Sequence, residues 1–456
     1  MAGSQNPRAL GLDGPYLAVR QGCLTLEGAD LGAIADRFGT PCYVTSEGQI
    51  RANYRRLREA FTGLYPGTRL LYANKANSNL AVRRILAQEG AGGDCFGLGE
   101  LSLCLQAGVP TQAMVLNGSN KREEELTVAV DRGVRINVDH PDELVLLEHV
   151  AAGLGRKAEV NLRILPFSYA DLGALRVDLV EIARDTSHDK WGMDRETAGE
   201  ALAWSLRSKW VKPRGLHMHV SRLRPDAEPF MLACNLLTQA MAELRDITGW
   251  TPETLDVGGG YAHLRDPESG VPAGSHAVAT FEEYAAGMIR TLRDGLERYR
   301  LPEPELWLEP GRSLVSNASL LLTRVGIVKR LRNASVTWVN VDASTNHCLR
   351  AALQGYHYTV LPVERPDAPP DVAVTVTGPT CTLDVIAADR QMRRVQTGDL
   401  LAILDVGGYA EVMATQFNLL PRPASVLVHN GEAELIRRRE TYADLTAGQM
   451  LPAHLI

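Results

Sequence analysis

Between about residues 69 and 312 the chain repeats one unit, a short apolar or β-branched run followed by a longer helical pattern. A strand that reaches its neighbour through a helix has to run parallel to it, so this rhythm confines the segment to parallel α/β architectures. The runs at 69–74, 92–96, 113–117, 135–138, 158–164, 214–220, 254–257 and 305–308 read as strands, with helical patterns at 78–89, 141–152, 195–206 and 281–297. Eight such strands predict a TIM-type (β/α)8 barrel. Beyond residue 312 the pattern changes to strand-like alternation at 313–328, 336–342, 372–377, 399–405 and 424–428, which predicts a mainly β domain. The expected division is an N-terminal segment over 1–45 that partly joins the β domain, a barrel over 46–312 and a β-rich domain over 313–456. The Pro, Gly and Ser of 266–277 read as a surface insertion.

In a parallel barrel the chemistry gathers at the C-terminal ends of the strands. Lys75, Asp94, Asn117, His219, Gly258, Gly259, Gly260 and Glu309 all fall there on this reading. The stretch Tyr72-Ala-Asn-Lys75 brings an amine out of an apolar run. Leu255-Asp-Val-Gly258-Gly-Gly260 supplies a turn of backbone N–H groups, and Glu309-Pro-Gly-Arg312 sets a carboxylate three residues before a guanidinium. An aldehyde cofactor with a phosphate and a pyridine ring needs these parts: a lysine for attachment, N–H groups or arginine for the phosphate, and an acid beside the ring nitrogen. The set points to pyridoxal 5'-phosphate. Each motif alone has a plainer reading: Lys75 as a strand-end lysine reaching solvent, the glycines as a turn, Glu309 and Arg312 as a surface salt bridge. Burial at a strand end is expected to desolvate the Lys75 amine. His217 and His219 share one side of a strand. No third ligand of suitable spacing is evident, so no metal is expected; one imidazole is read as stacking on a flat ring and His217 as a hydrogen-bonded core residue.

At 456 residues and 45% hydrophobic content the chain is long enough for two domains to bury cores. Its 48 Lys+Arg are mixed with 54 Asp+Glu for a net charge of −6, which offers no basic stripe for nucleic acid and no polybasic anchor for a membrane. Seven scattered cysteines without a CxxC pair fit reduced thiols. The N-terminus lacks a basic and apolar leader, and no apolar run approaches the roughly 20 residues of a membrane span, so a cytoplasmic protein is expected.

In chain order, Tyr72-Ala-Asn-Lys-Ala-Asn77, Ser187-His-Asp-Lys-Trp-Gly-Met193, His217-Met-His219, Gly258-Gly-Gly260, Glu309-Pro-Gly-Arg312, Gly378-Pro-Thr-Cys381 and Gly407-Gly-Tyr409 resemble the motifs of the fold-type III pyridoxal-phosphate decarboxylases, and most of all their diaminopimelate decarboxylase branch. The resemblance covers about residues 35–430. It implies an amino-acid decarboxylase with an alanine racemase-like barrel, working as a homodimer with shared active sites. Lys75 is then the Schiff-base lysine, Glu309 the partner of the pyridinium nitrogen, His219 the stacking group and Asp94 a polar neighbour of the lysine. Gly258, Gly259, Gly260, Arg312 and Tyr409 would surround the phosphate. Cys381 would donate a proton across the subunit interface, where Lys190 and Asp384 are implied to form a salt bridge. From the residues alone, Cys381 is equally a buried apolar filler.

The positions that read the substrate depart from that branch. Arg350 is kept, but Gln354 stands where the branch has tyrosine, and Thr382 replaces the acid that would receive a distal ammonium, in a loop one residue shorter. Arg222 follows the second histidine where the family has a glycine-serine pair. Losing that acid removes a charge-assisted bond worth about 1.5–3 kcal/mol, while Arg312 and Arg350 remain able to meet a distal carboxylate. Arg312, Arg350, Gln354, Thr382 and Tyr409 are thus the candidate substrate contacts. The expected substrate is a diaminopimelate analogue or an amino acid with a distal carboxylate or acyl group. Two alternatives stand beside it: a diaminopimelate decarboxylase proper in lysine biosynthesis, and a catalytically silent binding or regulatory protein of the same fold.

Overall fold

The structure, a computed structural model, describes residues 15–165, 190–219, 226–262, 278–330, 336–354 and 358–455. The chain forms two compact units, one drawn from the residues up to Arg51 and from Leu314 onward, the other from residues between Ala52 and Ser313.

In the latter unit eight strands close a parallel barrel in chain order: β1 (Thr68–Ala73), β2 (Gly92–Phe96), β3 (Met114–Asn117), β4 (Arg135–Val138), β5 (Ala158–Arg163), β6 (Val211–His217), β7 (Thr254–Asp256) and β8 (Glu305–Leu308), which pairs back onto β1. The alternation of apolar runs and helical patterns thus builds the barrel it predicts. The boundaries agree to within a residue except at β6, which runs Val211–His217 rather than over 214–220, so His219 lies beyond the strand it was expected to share with His217. Pro213 looks like a strand breaker, but a register shift between Pro213 and Gly215 absorbs it. Several of the helices between strands start on side-chain caps. Asp194 accepts from the Thr197 N–H ahead of Arg195–Arg207, and Thr280 forms a reciprocal box with Glu283 ahead of Phe281–Tyr299. Leu71, Val115 and Trp307 make one buried apolar cluster from β1, β3 and β8.

The other unit is mainly β. Its large sheet runs Val385–Met392, Val372–Thr377, Thr337–Val341, Ser319–Arg330, Cys42–Ser46, Ala424–His429, Glu432–Arg437. Cys42–Ser46 lies inside that order, antiparallel to Ser319–Arg330 and parallel to Ala424–His429. Leu17–Arg20, Cys23–Leu26 and Ala29–Asp30 form a separate three-stranded sheet. The strand expected over 313–328 starts only at Ser319. Arg312–Val315 is a helical turn and Ser316–Ala318 a 3-10 turn, where the short polar side chains of Ser316 and Asn317 favour local turns over a ladder.

The expected insertion at 266–277, Arg222, and residues 187–189 of the motif ending at Met193 lie outside the described residues. Among the described residues no helix is long and apolar enough to cross a membrane.

Candidate active site

Lys75 sits on the 3-10 turn Asn74–Ala76 that immediately follows β1. Two buried contacts fix that turn: the Asn74 amide donates to the Asp94 carbonyl at 2.6 Å, and the Tyr72 hydroxyl donates to the Asn77 carbonyl at 3.0 Å. The Lys75 amine then lies 3.0 Å from Asp94 Oδ2 and 4.5 Å from the centre of the Phe96 ring. A dry amine is not what results. The side chain is 39% exposed and ion-paired, because the turn lifts it above β1 to the carboxylate of the next strand.

Glu309 follows β8 directly, and its N–H donates to the Gly258 carbonyl at 2.9 Å, tying two strand ends together. Its carboxylate is buried, accepts from the Asn117 amide at 2.8 Å and lies 3.7 Å from His217 Nε2. Burial alone would raise its pKa, but His217 and Lys75 reverse the sign and hold it well below the usual carboxylate range. Asp94 is raised by burial and by the charge of Glu309, with Lys75 pulling the other way.

The glycine turn after β7 requires glycine. Gly258 and Gly260 have φ of +68° and +113°, and a Cβ on Gly259 would stand 2.0 Å from the Glu309 carbonyl oxygen. Its donors are divided, however. Gly258 N–H donates to Asp256 Oδ1 at 2.9 Å and Gly259 N–H to His219 Nδ1 at 3.2 Å. The Gly260 N–H has no partner among the described residues, and Arg312 joins the turn by donating to the Gly260 carbonyl at 3.2 Å. His219 is kept neutral: burial and the Lys75 charge push its pKa down to about 3.

The expected hydrogen-bonded His217 is not found, since neither ring nitrogen has a hydrogen-bond partner among the described residues. The structure also brings it companions that sequence spacing hid. His217, Asp256 and Glu309, from β6, β7 and the end of β8, place one ligand atom each within 4.8 Å of one another, all buried. Burial and the Glu309 charge push Asp256 far above the usual carboxylate range. The group therefore holds a proton on Asp256 beside an ionised Glu309. Asp256 was missed although it stands in the quoted glycine motif; a carboxylate two residues before a glycine turn is a known way to tether it. Ser313 was missed too, and its buried hydroxyl has no partner among the described residues.

The residues of the β unit have their own surroundings. Arg350 begins the helix Arg350–Gln354 and its guanidinium stands 4.7 Å from the centre of the Tyr409 ring, while Tyr409 has a φ of +61°. The side chain of Gln354 lies outside the described residues. Cys381 is exposed rather than a buried filler; its N–H donates to Asn418 Oδ1 at 3.1 Å. Thr382 is exposed, 2.9 Å from the Thr380 hydroxyl. Asp384 is buried and spends both oxygens inside its own chain, accepting from the Ser344 and Thr345 hydroxyls and from the N–H groups of Thr345 and Thr380. Lys190 packs its amine 4.6 Å from the centre of the Trp191 ring.

An amine, a buried ionised carboxylate, a neutral imidazole and a glycine turn with an unspent N–H beside an arginine fit pyridoxal phosphate. The orphaned Ser313 hydroxyl adds a polar group that a ligand would satisfy. Comparison with known proteins points the same way. The family described as pyridoxal-dependent decarboxylase, pyridoxal binding domain, matches residues 47–316. The chain is similar to the diaminopimelate decarboxylase of Methanothermobacter thermautotrophicus, 38% identical over 96% of this chain and 97% of that one, and to that of Bacillus subtilis, 32% identical over 93% and 95%. The crystal structure of the Methanocaldococcus jannaschii diaminopimelate decarboxylase superposes with a TM-score of 0.90 at 33% identity, covering 98% of this chain and 100% of that one.

Proposed function

The chain belongs to the pyridoxal-dependent decarboxylases, and from that membership we propose that it removes the α-carboxylate of an amino acid whose far end carries a carboxylate or an acyl group. It is a carboxy-lyase with pyridoxal 5'-phosphate as cofactor. That cofactor, when bound, supplies the electron sink for loss of carbon dioxide.

In the proposed site Lys75 anchors the cofactor, and Asp94 holds the amine in place. Ionised Glu309 keeps a proton on the ring nitrogen, neutral His219 packs against the ring, and the Gly260 N–H with Arg312 takes the phosphate, in a turn whose close approach Gly258 and Gly259 allow. Arg350, Gln354, Thr382 and Tyr409 read the substrate, and Cys381 returns a proton to the substrate carbon. The observation that carries the substrate reading is Thr382, a hydroxyl where the diaminopimelate branch is expected to offer an acid to a distal ammonium. Diaminopimelate itself is the second reading, favoured by full-length similarity to enzymes of that name at 32–38% identity.

Carbon dioxide release across diaminopimelate, lysine, ornithine, and carboxylate-ended and N-acylated amino acids separates them, with Lys75→Ala as control. Diaminopimelate turned over well ahead of the others would overturn the first reading and establish the second. Cofactor binding without release from any of these substrates would overturn both substrate readings.

A homodimer with shared sites belongs to the same proposal. Supporting it, exposed Cys381 bonds through its N–H to Asn418, which is flanked in sequence by exposed Phe417 and Leu419, and exposed Leu383 follows two residues on. Mixing inactive Lys75→Ala and Cys381→Ala copies should restore about one quarter of wild-type activity if subunits exchange and complete each other's sites. No recovery after demonstrated exchange refutes sharing.

A further inference from the structure

Three asparagines from adjacent strands form a continuous amide chain through the barrel. Asn117 on β3 divides its two N–H groups between Asp94 Oδ1 at 2.7 Å and Glu309 Oε1 at 2.8 Å. Its own oxygen accepts from Asn137 on β4 at 2.9 Å, and the Asn137 oxygen accepts from Asn161 on β5 at 2.9 Å. Arg135 closes the chain by donating to the Asn161 oxygen at 3.0 Å, joined by the Thr254 hydroxyl at 3.2 Å. All three amides are buried.

The direction of this chain is dictated by its ends. Carboxylates only accept and guanidinium only donates, so every amide must point its N–H groups toward Asp94 and Glu309 and its oxygen toward Arg135. Reversing Asn117 would aim a carbonyl at two carboxylates. Each link forbids the flip of the one before it, and the aligned dipoles favour negative charge at the Glu309 end.

We propose that Asn137 and Asn161 are positioning residues for the reaction, locking Asn117 so that it holds Glu309 and Asp94 at a fixed spacing and keeps Glu309 ionised toward the cofactor ring. The inference rests on the function proposed above. Groups facing Glu309 from the surrounding elements are Lys75, Asp94, His217, His219 and Asp256, with Arg163 a further cation nearby. An intact amide chain biases this cluster without itself titrating.

The test uses the full chain, wild type against Asn137→Leu and Arg135→Met. Two quantities are read: the dissociation constant of pyridoxal phosphate added to cofactor-free protein, and the pH midpoint of the visible band of the bound cofactor. Less charge on Glu309 disfavours a proton near Lys75, so the midpoint should fall by about one unit in Asn137→Leu and affinity should weaken about tenfold. Arg135→Met should move both the same way by less. Should Asn137→Leu not fold, Arg135→Met decides alone, since it breaks the chain at its far end. Midpoints within 0.2 unit and affinities within about twofold of wild type would overturn the proposal, even with a lowered melting temperature, which marks a merely structural role. A wild-type chain that binds no pyridoxal phosphate would instead sink the proposed function.

Discussion

Replacing Lys121 by methionine tests the buried charge that supports this amide chain from outside. The Lys121 amine lies 2.7 Å from Glu143 Oε1 and donates to the carbonyls of Gly118 and Asn137, each at 2.7 Å. Side-chain exposure of the pair is only 1% and 9%, so the methionine variant leaves a carboxylate in a site that water barely reaches. Removing one partner of a buried pair costs about 3–5 kcal/mol. Burial already raises Glu143 while Lys121 lowers it, so without the ammonium the group protonates, which caps the loss near that range. For a barrel of this size 1 kcal/mol is worth roughly 2–4 °C, which places the melting point of Lys121→Met about 6–20 °C below wild type. Calorimetry at pH 7 measures it. The double variant Lys121→Met/Glu143→Leu should regain more than half of the loss, because no unpaired charge remains. A single variant within about 2 °C of wild type, or a double variant no better than the single, would refute the reasoning.

Acid stability offers a second check. His219 has a folded pKa of about 3 against an ordinary 6.5, so the unfolded chain takes up its proton first; stability is full above 6.5 and drains as pH falls toward 3. Between pH 7 and 5 this amounts to up to about 2 kcal/mol, which His219→Phe should remove from the acid limb of cofactor-free protein in denaturant titrations. His347, pushed down to about 4 by burial, adds to the same limb and should persist in that variant. An unchanged pH slope in His219→Phe rejects the assignment. In the β unit, Asp384→Ala strips the common acceptor from four donors and should cost roughly 3–5 kcal/mol, with amide exchange of Thr345 and Thr380 rising at least about 100-fold. Protection equal to wild type at those two amides would show that the loop holds without it.

The barrel was legible because a parallel strand that is buried on both faces must be apolar and must be followed by a crossover; both leave marks in the chain. Lys75, Glu309 and the glycine turn were legible because each motif is local and its chemistry lies within a few residues. Asn137 and Asn161 carried no such mark. A polar residue in the middle of an apolar strand says only that something must satisfy it, and its partners here come from neighbouring strands through register. The same holds for Asp256 beside His217. Local propensity misplaced the start of β6, where tertiary pairing accommodates Pro213, and misplaced the strand expected from residue 313, where Ser316 and Asn317 turn the chain first. Donor sharing in the glycine turn was invisible for a different reason: which N–H is already spent depends on Asp256 two residues upstream and on His219, which follows a different strand.

The strand Cys42–Ser46 has a consequence for the order of events on the ribosome. Its hydrogen-bonding neighbours, Ser319–Arg330 and Ala424–His429, are made only some 270 and some 380 residues later. At about 5–20 residues per second the first neighbour appears roughly 15–55 s later. All of the barrel's strands are synthesised in that interval, so they can close while both edges of Cys42–Ser46 still await partners. This nascent strand, Cys-Tyr-Val-Thr-Ser, buried throughout in the finished fold, is one that a holding chaperone has reason to cover while both of its edges are open.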